Sequence, residues 1–285
     1  MHAVITYTAA SGLLDAYFMQ VRRKLKVVPM NQRHQTASRD LYARRDVLSA
    51  AIVAKQYEVQ AELWKPYGPT GQQKSVRDVG YHLTYLSEAL ATASPSLFSD
   101  YAAWVKALFA GLQFPDDILA TTLRCTRDAL QEELDPESSA LATEYIELAL
   151  DHMRQAPVTV PTFLDRQAPL GGLARKYLDA LLQGERHTAS QLVLDAVEQG
   201  TGIKDVYLHV FQPTQHEIGR LWQMNRISVA QEHFCTAATQ LIISQLYPHL
   251  FGTARIGRRL VASCVGNELH ELGVRMVADF FEIEG

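Results

Sequence analysis

From about Asp40 to Gln155 apolar residues recur at helical spacing. Val79, Leu83, Leu86 and Leu90 fall at i, i+4, i+7 and i+11, one stripe of an amphipathic helix. Leu97, Tyr101, Trp104 or Val105, Leu108 and Leu112 repeat that spacing, and two further helices are predicted over 116–134 and 138–154. Nothing in this region alternates as a strand does, so the pattern predicts an all-α domain of about five helices. The stretch WKPYGPTGQQK (64–74) is dense in Pro and Gly and predicts a loop. Ser75 and Asp78 then read as the capping box of the next helix.

Residues 155–172, QAPVTVPTFLDRQAPLGG, hold three prolines and two glycines and predict a linker between domains. A second helical unit follows at roughly 170–183, 186–199, 202–222 and 228–247, with breaks at Gly184, at Gly200 to Gly202 and at MNRI. Four helices with short connections predict an antiparallel bundle. Pro213 falls inside the third helix and predicts a kink. After residues 252–258 the period changes. LVASCV (260–265) is a short continuous apolar run, as in a buried parallel strand. GNELHELG and the amphipathic VRMVADFFEIE follow it, giving strand, turn, helix, the opening of a doubly wound α/β unit. One strand and one helix do not complete such a unit, so the sequence reads as carrying a truncated one. The predicted fold is mainly α. A flexible basic tail covers 1–39, a globin-like helical domain 40–155, a linker 156–170, a four-helix bundle 171–250, and the first strand and helix of a Rossmann-like domain 258–285.

Composition changes this picture little. Hydrophobic residues make up 47% and charged residues 20%, ordinary for a soluble protein with a sizeable core. A net charge of -4 leaves no global polycation for nucleic acid to meet. Cys125, Cys235 and Cys264 are odd in number and far apart, which argues against a disulfide framework or a cysteine zinc site and fits a reducing cytoplasm. No apolar run reaches the roughly 18–20 residues that span a bilayer. The N-terminus opens apolar and turns basic later, the reverse of a signal peptide. Arg22, Arg23, Lys24, Lys26, Arg33, Arg39, Arg44 and Arg45 stand against one acid, Asp40. That run reads as a solvated tail, with a phosphate-binding arm as the sharper alternative. Met30 offers an alternative start of translation.

The chemistry gathers at two places. In LWQMNRISVAQEHFC (221–235), Ser228 and Gln231 fit a capping box, so the fourth bundle helix should start at Val229. Trp222 then closes the preceding helix, and Glu232 and His233 open the next. All three lie at one end of the bundle. A plain structural account exists for each: Trp packs in cores, and a Glu near a helix N-terminus meets a favourable dipole. The joint spacing is the informative part, because a large aromatic beside a Glu-His pair suits a flat ligand. The second place is Glu268-Leu-His270-Glu-Leu-Gly273, just past the end of the predicted strand, where open α/β sheets bind ligands. A neutral imidazole ligates a metal through one nitrogen while its other N–H needs a carboxylate or carbonyl partner. Glu268, two residues before His270, offers one. Gly273 allows close approach of a bulky ligand.

Together these two motifs resemble a cobalamin-binding module, in which a four-helix cap and a Rossmann-like domain hold the corrinoid between them. The Rossmann-side signature of that family is D-x-H-x-x-G, and here Glu268 stands in place of the Asp. The resemblance implies that His270 is the lower cobalt ligand. The cap signature of the light-sensing branch, W-x9-E-H, is matched in full by Trp222, Glu232 and His233. It implies that Trp222 covers the upper ligand of adenosylcobalamin and that Glu232 and His233 contact it. In the light-dependent B12 repressors a histidine follows the motif tryptophan and binds cobalt after illumination. Gln223 stands there, so no bis-histidine light state is expected. The later S-x-L and Gly-Gly segments that cradle the nucleotide tail are not found, nor is an N-terminal helix-turn-helix, so DNA binding is not expected.

VRDVGYHLTYLSEALATASPSLFSDYAAWVKALF (76–109) resembles the globin-like helical domain that precedes the B12 module in photocobilins, which use a bilin together with cobalamin. This implies biliverdin held non-covalently beside the cobalamin. Tyr81, His82 and Tyr85 are the residues proposed to face it, the His bonding to pyrrole groups and the Tyr rings stacking. Ordinary packing in a globin-like helix is the plainer account of each. Cys125 lies in no attachment motif and reads as a core residue. The reading is a sensory chromophore protein rather than an enzyme, a homo-oligomer by family resemblance, with neither membrane nor nucleic acid as partner. The alternatives are a corrinoid carrier for methyl transfer, and a bilin or cobalamin-level sensor scaffold with an incomplete B12 domain.

Overall fold

The computed structural model describes residues 32–265, 268 and 270–285, together with the backbone of 3–8. Arg22, Arg23, Lys24, Lys26, Met30, Gly266, Asn267 and Leu269 lie outside the described residues. The chain divides into two units, Val27–Val160 and Met1–Lys26 with Pro161–Gly285. The division falls within the Pro-rich stretch 155–172.

The described part of the first unit is built from helices: α1 (Gln32–Ala43), α2 (Arg45–Val59), α3 (Gly68–Ala91), α4 (Pro95–Gly111), α5 (Ile118–Glu133) and α6 (Pro136–Gln155). Its core gathers Leu41, Leu48, Ile52, Leu83, Leu86, Leu90, Phe98, Ile118, Leu130 and Ile146, all nearly free of solvent contact. Each such side chain stabilises the fold by about 1.5–3 kcal/mol. The stripe Val79, Leu83, Leu86, Leu90 is the buried face of α3. The apolar spacing of 116–134 and 138–154 corresponds to α5 and α6. Asp135 caps α6 by accepting the N–H groups of Glu137 and Ser138 at 3.0 and 3.1 Å, and Pro136 fills the first helical turn.

Two expectations are corrected here. The stretch 64–74 is not a loop. A helical turn, Ala61–Trp64, runs into a tight turn, Lys65–Tyr67, and then directly into α3. Pro66 and Pro69 occupy first-turn positions, where a missing N–H costs nothing, and Gly68 takes a left-handed φ of 57° between the two segments. Ser75 therefore lies inside α3, donating to the Gly71 carbonyl at 3.1 Å, and caps nothing. Second, α1 starts at Gln32, within the stretch read as a tail. Its basic exposed face hides an anchored inner one: Ala37 and Leu41 are buried, Gln35 donates to the Ala91 carbonyl at 2.7 Å, and Ser38 pairs with Ser87 at 3.0 Å.

The second unit holds α7 (Gly171–Leu182), α8 (Arg186–Glu198), α9 and α10 (Val229–Leu246). Helix α9 runs in three parts: Ile203–Val206, a π turn Tyr207–Phe211, and Gln212–Gln223. Pro213 does not break it. The wider turn just upstream takes up the ring that an α-helix would reject, with the Gln212 N–H reaching back to the Tyr207 carbonyl. Tyr177, Tyr207, Phe211, Ile218, Ile242 and Ile243 fill the core between these helices. Residues 161–165 pack here as well. Leu164 joins this core, and the Phe163 N–H donates to Glu217 at 2.9 Å.

Beyond the bundle come β2 (Arg259–Cys264) and α11 (Leu272–Ile283). The strand is not a buried parallel one. It pairs antiparallel with β1 (Ala3–Thr8), Ala3 opposite Cys264. Its residues alternate between exposed and half-buried, with Val261 68% exposed. A parallel strand is covered on both faces, whereas here the outward face of β2 meets solvent. Leu272, Met276 and Phe280 of α11 pack against the bundle core. The Tyr207 hydroxyl donates to Asp279 at 2.7 Å. No helix among the described residues is long and apolar enough to cross a membrane.

Candidate functional site

The turn between α9 and α10 is built as its sequence requires. Trp222 is next to last in α9, and Asn225 takes the left-handed conformation that closes the helix, its N–H donating to the Trp222 carbonyl at 2.9 Å. Asn tolerates that conformation better than most residues. Ser228 then opens α10 with a full capping box: its hydroxyl accepts the Gln231 N–H at 3.2 Å, and Gln231 Oε1 accepts the Ser228 N–H at 3.0 Å. Glu232 closes the first turn and His233 opens the second. The structure thus places Trp222, Glu232 and His233 at one end of the bundle, on either side of a single turn.

Trp222 is half-buried, while Gln223 is buried at 5% exposure. The His233 side chain is 75% exposed and its Nδ1 contacts Glu232 Oε2. Glu232 is held more firmly, since its other oxygen accepts the Thr236 hydroxyl at 2.9 Å. Cys235 beneath them is buried, and burial pushes its thiol up to about 11, so it is an inert core residue.

His270 lies between β2 and α11, with 78% of its side chain exposed. Glu268 Oε1 accepts both the His270 backbone N–H at 2.7 Å and the ring Nδ1–H at 2.6 Å. This holds the ring through Nδ1, on a side chain that is otherwise largely open to solvent. Gly273 is the second residue of α11. The neighbouring Glu271 ties this loop to the bundle, accepting from Gln240 Nε2 at 2.9 Å, and Arg275 donates to the Gln240 carbonyl and to Ser244 at 3.3 and 3.0 Å. Gln240 is two turns along α10 from His233 on the same face, about 10 Å at 1.5 Å per residue. Glu271 and Arg275, which neighbour the second motif, therefore rest on the face of α10 that carries His233.

In the first unit Tyr81, His82 and Tyr85 share α3, but in different settings. His82 is buried and its Nδ1 contacts the Tyr101 hydroxyl at 2.8 Å. Burial pushes its pKa down to about 4, so it is neutral. The exposed Tyr85 stacks on Tyr101 at 3.8 Å between ring centres, and Tyr81 projects outward one turn earlier, 56% exposed. A second aromatic group was not singled out from the sequence. Tyr57 stacks on Trp64 at 5.0 Å and 11°, and Tyr67 leans on Trp64 at 5.7 Å. Beside them Trp64 Nε1 and Gln60 Oε1 are buried with no hydrogen-bond partner among the described residues. The only sequence signal was the aromatic density of YEVQAELWKPY (57–67), concealed by reading its second half as a loop. Cys125 is buried and burial raises its thiol pKa, so it is a poor nucleophile for covalent attachment.

Comparison with known families divides the chain along the same lines. Residues 173–247, which span α7 to α10, match the family described as B12 binding domain, and the match supports cobalamin binding by this bundle. Residues 36–153, the six-helix unit, are similar to the family described as phycobilisome protein. No curated protein and no solved structure matches the chain.

Proposed function

We propose that this chain is a light-sensing chromophore protein that binds adenosylcobalamin in its C-terminal unit and biliverdin in its N-terminal one. The observation that carries the cobalamin half is the Glu268–His270 pair. A ring whose Nδ1–H is held by a carboxylate, on a side chain mostly open to solvent, has the donor chemistry a lower cobalt ligand requires. Adenosylcobalamin supplies a Co–C bond that light breaks. Trp222 would cover the adenosyl group, and Glu232 and His233 would bond to it. Contacts made only to the adenosyl form would give these residues the differential affinity that a switch between two positions of the bundle and the His270 loop requires. Gln223 is buried, which fits a light state without a second histidine on cobalt. Assembly as a homo-oligomer belongs to the same proposal, and light scattering before and after illumination tests it.

For biliverdin, the Tyr57–Trp64–Tyr67 group is the better physical fit. A bilin carries pyrrole N–H donors and lactam carbonyl acceptors, the two functions Gln60 Oε1 and Trp64 Nε1 lack. Tyr81, His82 and Tyr85 form the second face, where His82 and Tyr85 are already partnered by Tyr101. Trp64→Phe and Tyr85→Ala distinguish the two faces: the variant that loses the red-absorbing band marks the site.

The deciding experiment is an absorption spectrum of protein purified in the dark with adenosylcobalamin and biliverdin, cleared of excess and repeated after green light. The expected result is a corrin band that shifts on illumination beside a retained bilin band. His270→Ala is expected to abolish the base-off, His-on cobalt spectrum, and persistence of that spectrum refutes the ligand assignment. Trp222→Ala separates this reading from a methyl-transfer carrier, since methyl needs no cover of that size: unaltered adenosylcobalamin affinity and photochemistry favour the carrier. A protein that retains no colour returns to the sensor-scaffold alternative.

A further inference from the structure

A connected chain of polar side chains runs through the bundle from its centre to the end that carries Glu232 and His233. It starts at Tyr177 on α7, which is fully buried. The Tyr177 hydroxyl donates to Thr239 Oγ1 at 2.9 Å, because the Thr239 proton is already given to the Cys235 carbonyl at 2.9 Å. Gln215 Nε2, on α9, donates to the same Thr239 oxygen at 2.8 Å. The other end of that amide, Gln215 Oε1, lies 3.3 Å from the Thr236 hydroxyl, whose single proton is shared with the nearer Glu232 Oε1 at 2.9 Å. Glu232 Oε2 meets His233 Nδ1. Three helices thus contribute to one network, and its exposed end is the Glu-His pair.

Apolar side chains would pack this interior at lower cost, since a buried polar group is stabilising only when all its partners are in place. Thr239 has every bond its hydroxyl makes available, two accepted and one donated. Such a network fixes position. We infer that Thr236 is a positioning residue for the upper face of the corrinoid site, holding the Glu232 carboxylate, and through it His233, in the orientation that receives the adenosyl group. Gln215, Thr239 and Tyr177 carry that orientation back to the bundle core. The inference rests on the adenosylcobalamin reading above.

The test titrates the full chain in the dark with adenosylcobalamin and, separately, with hydroxocobalamin, which has no adenosyl group. Thr236→Val keeps the volume and removes the hydroxyl. It is expected to weaken adenosylcobalamin about tenfold and to leave hydroxocobalamin within roughly twofold. Thr236→Ser restores the hydroxyl and is expected to restore the preference. Thr239→Val, at the buried end, is expected to act in the same direction and less strongly. A purely structural role lowers both affinities together, and that result, or no change in either, overturns the positioning role while corrinoid binding stands. Should Thr236→Val fail to fold, Thr236→Ala carries the same comparison. Wild-type protein that binds neither corrinoid overturns the functional reading, and this inference with it.

Discussion

Burial sets the charge state of His82 more than any neighbour does. Its folded pKa, about 4, lies below the 6.5 of an unperturbed imidazole, so between those values the unfolded chain binds a proton that the folded chain refuses. The neutral ring's contribution to stability is therefore complete above about pH 6.5 and is lost as the pH falls toward 4. Thermal unfolding at pH 7.5 and pH 4.5 should show a drop for wild type that is smaller in His82→Gln, and equal drops refute the assignment. Local chemistry of this kind was partly legible in the sequence. The Glu268–His270 pairing followed from a two-residue spacing within one loop. The settings of His82 and Tyr85 did not, because their partner Tyr101 comes from the next helix. Nor did the Tyr177–Thr239–Gln215–Thr236 chain, whose members lie on three helices and carry no spacing of their own.

Helices were the most readable elements, since the apolar period marks most of the buried face of α3, α5 and α6, to which polar residues such as His82, Thr122 and Ser138 are added. The end signals gave mixed results, for a physical reason. Ser228 and Gln231 predicted the start of α10 because a capping box satisfies two backbone donors by itself. Ser228→Ala is therefore expected to cost about 1 kcal/mol, read as a lower melting temperature of the cap. Ser75 and Asp78 have the same kind of spacing, yet they lie within α3, because Pro66, Gly68 and Pro69 start a helix as readily as they end one when they fall in its first turn. β2 was legible as a strand but not in its pairing, since register partners are a tertiary fact that an apolar run of six residues does not specify.

At the scale of the molecule, each unit has its own apolar core, and the two family matches fall one in each. The second unit, residues 161–285 expressed together with 1–26, is expected to fold without the first unit, with the Phe163–Glu217 contact retained. Glu217 is well suited to hold that end. Burial alone would push its carboxyl up, but Arg220 and the Phe163 N–H outweigh burial and keep it below the usual range. If instead the isolated segment aggregates or shows no cooperative melting, the units depend on each other for stability. The π turn at Tyr207–Phe211 has a consequence for the far end of the same helix. It accommodates one residue more than regular α geometry. A regular α-helix turns by about 100° per residue, so a surplus residue that no wider turn took up would rotate every side chain after it. Inserting one residue into the regular segment Gln212–Gln223 would leave the sequence from Trp222 to His233 intact and swing Trp222 by about 100° around the axis. The direction in which the bundle presents its tryptophan thus depends on the wider turn upstream absorbing its extra residue.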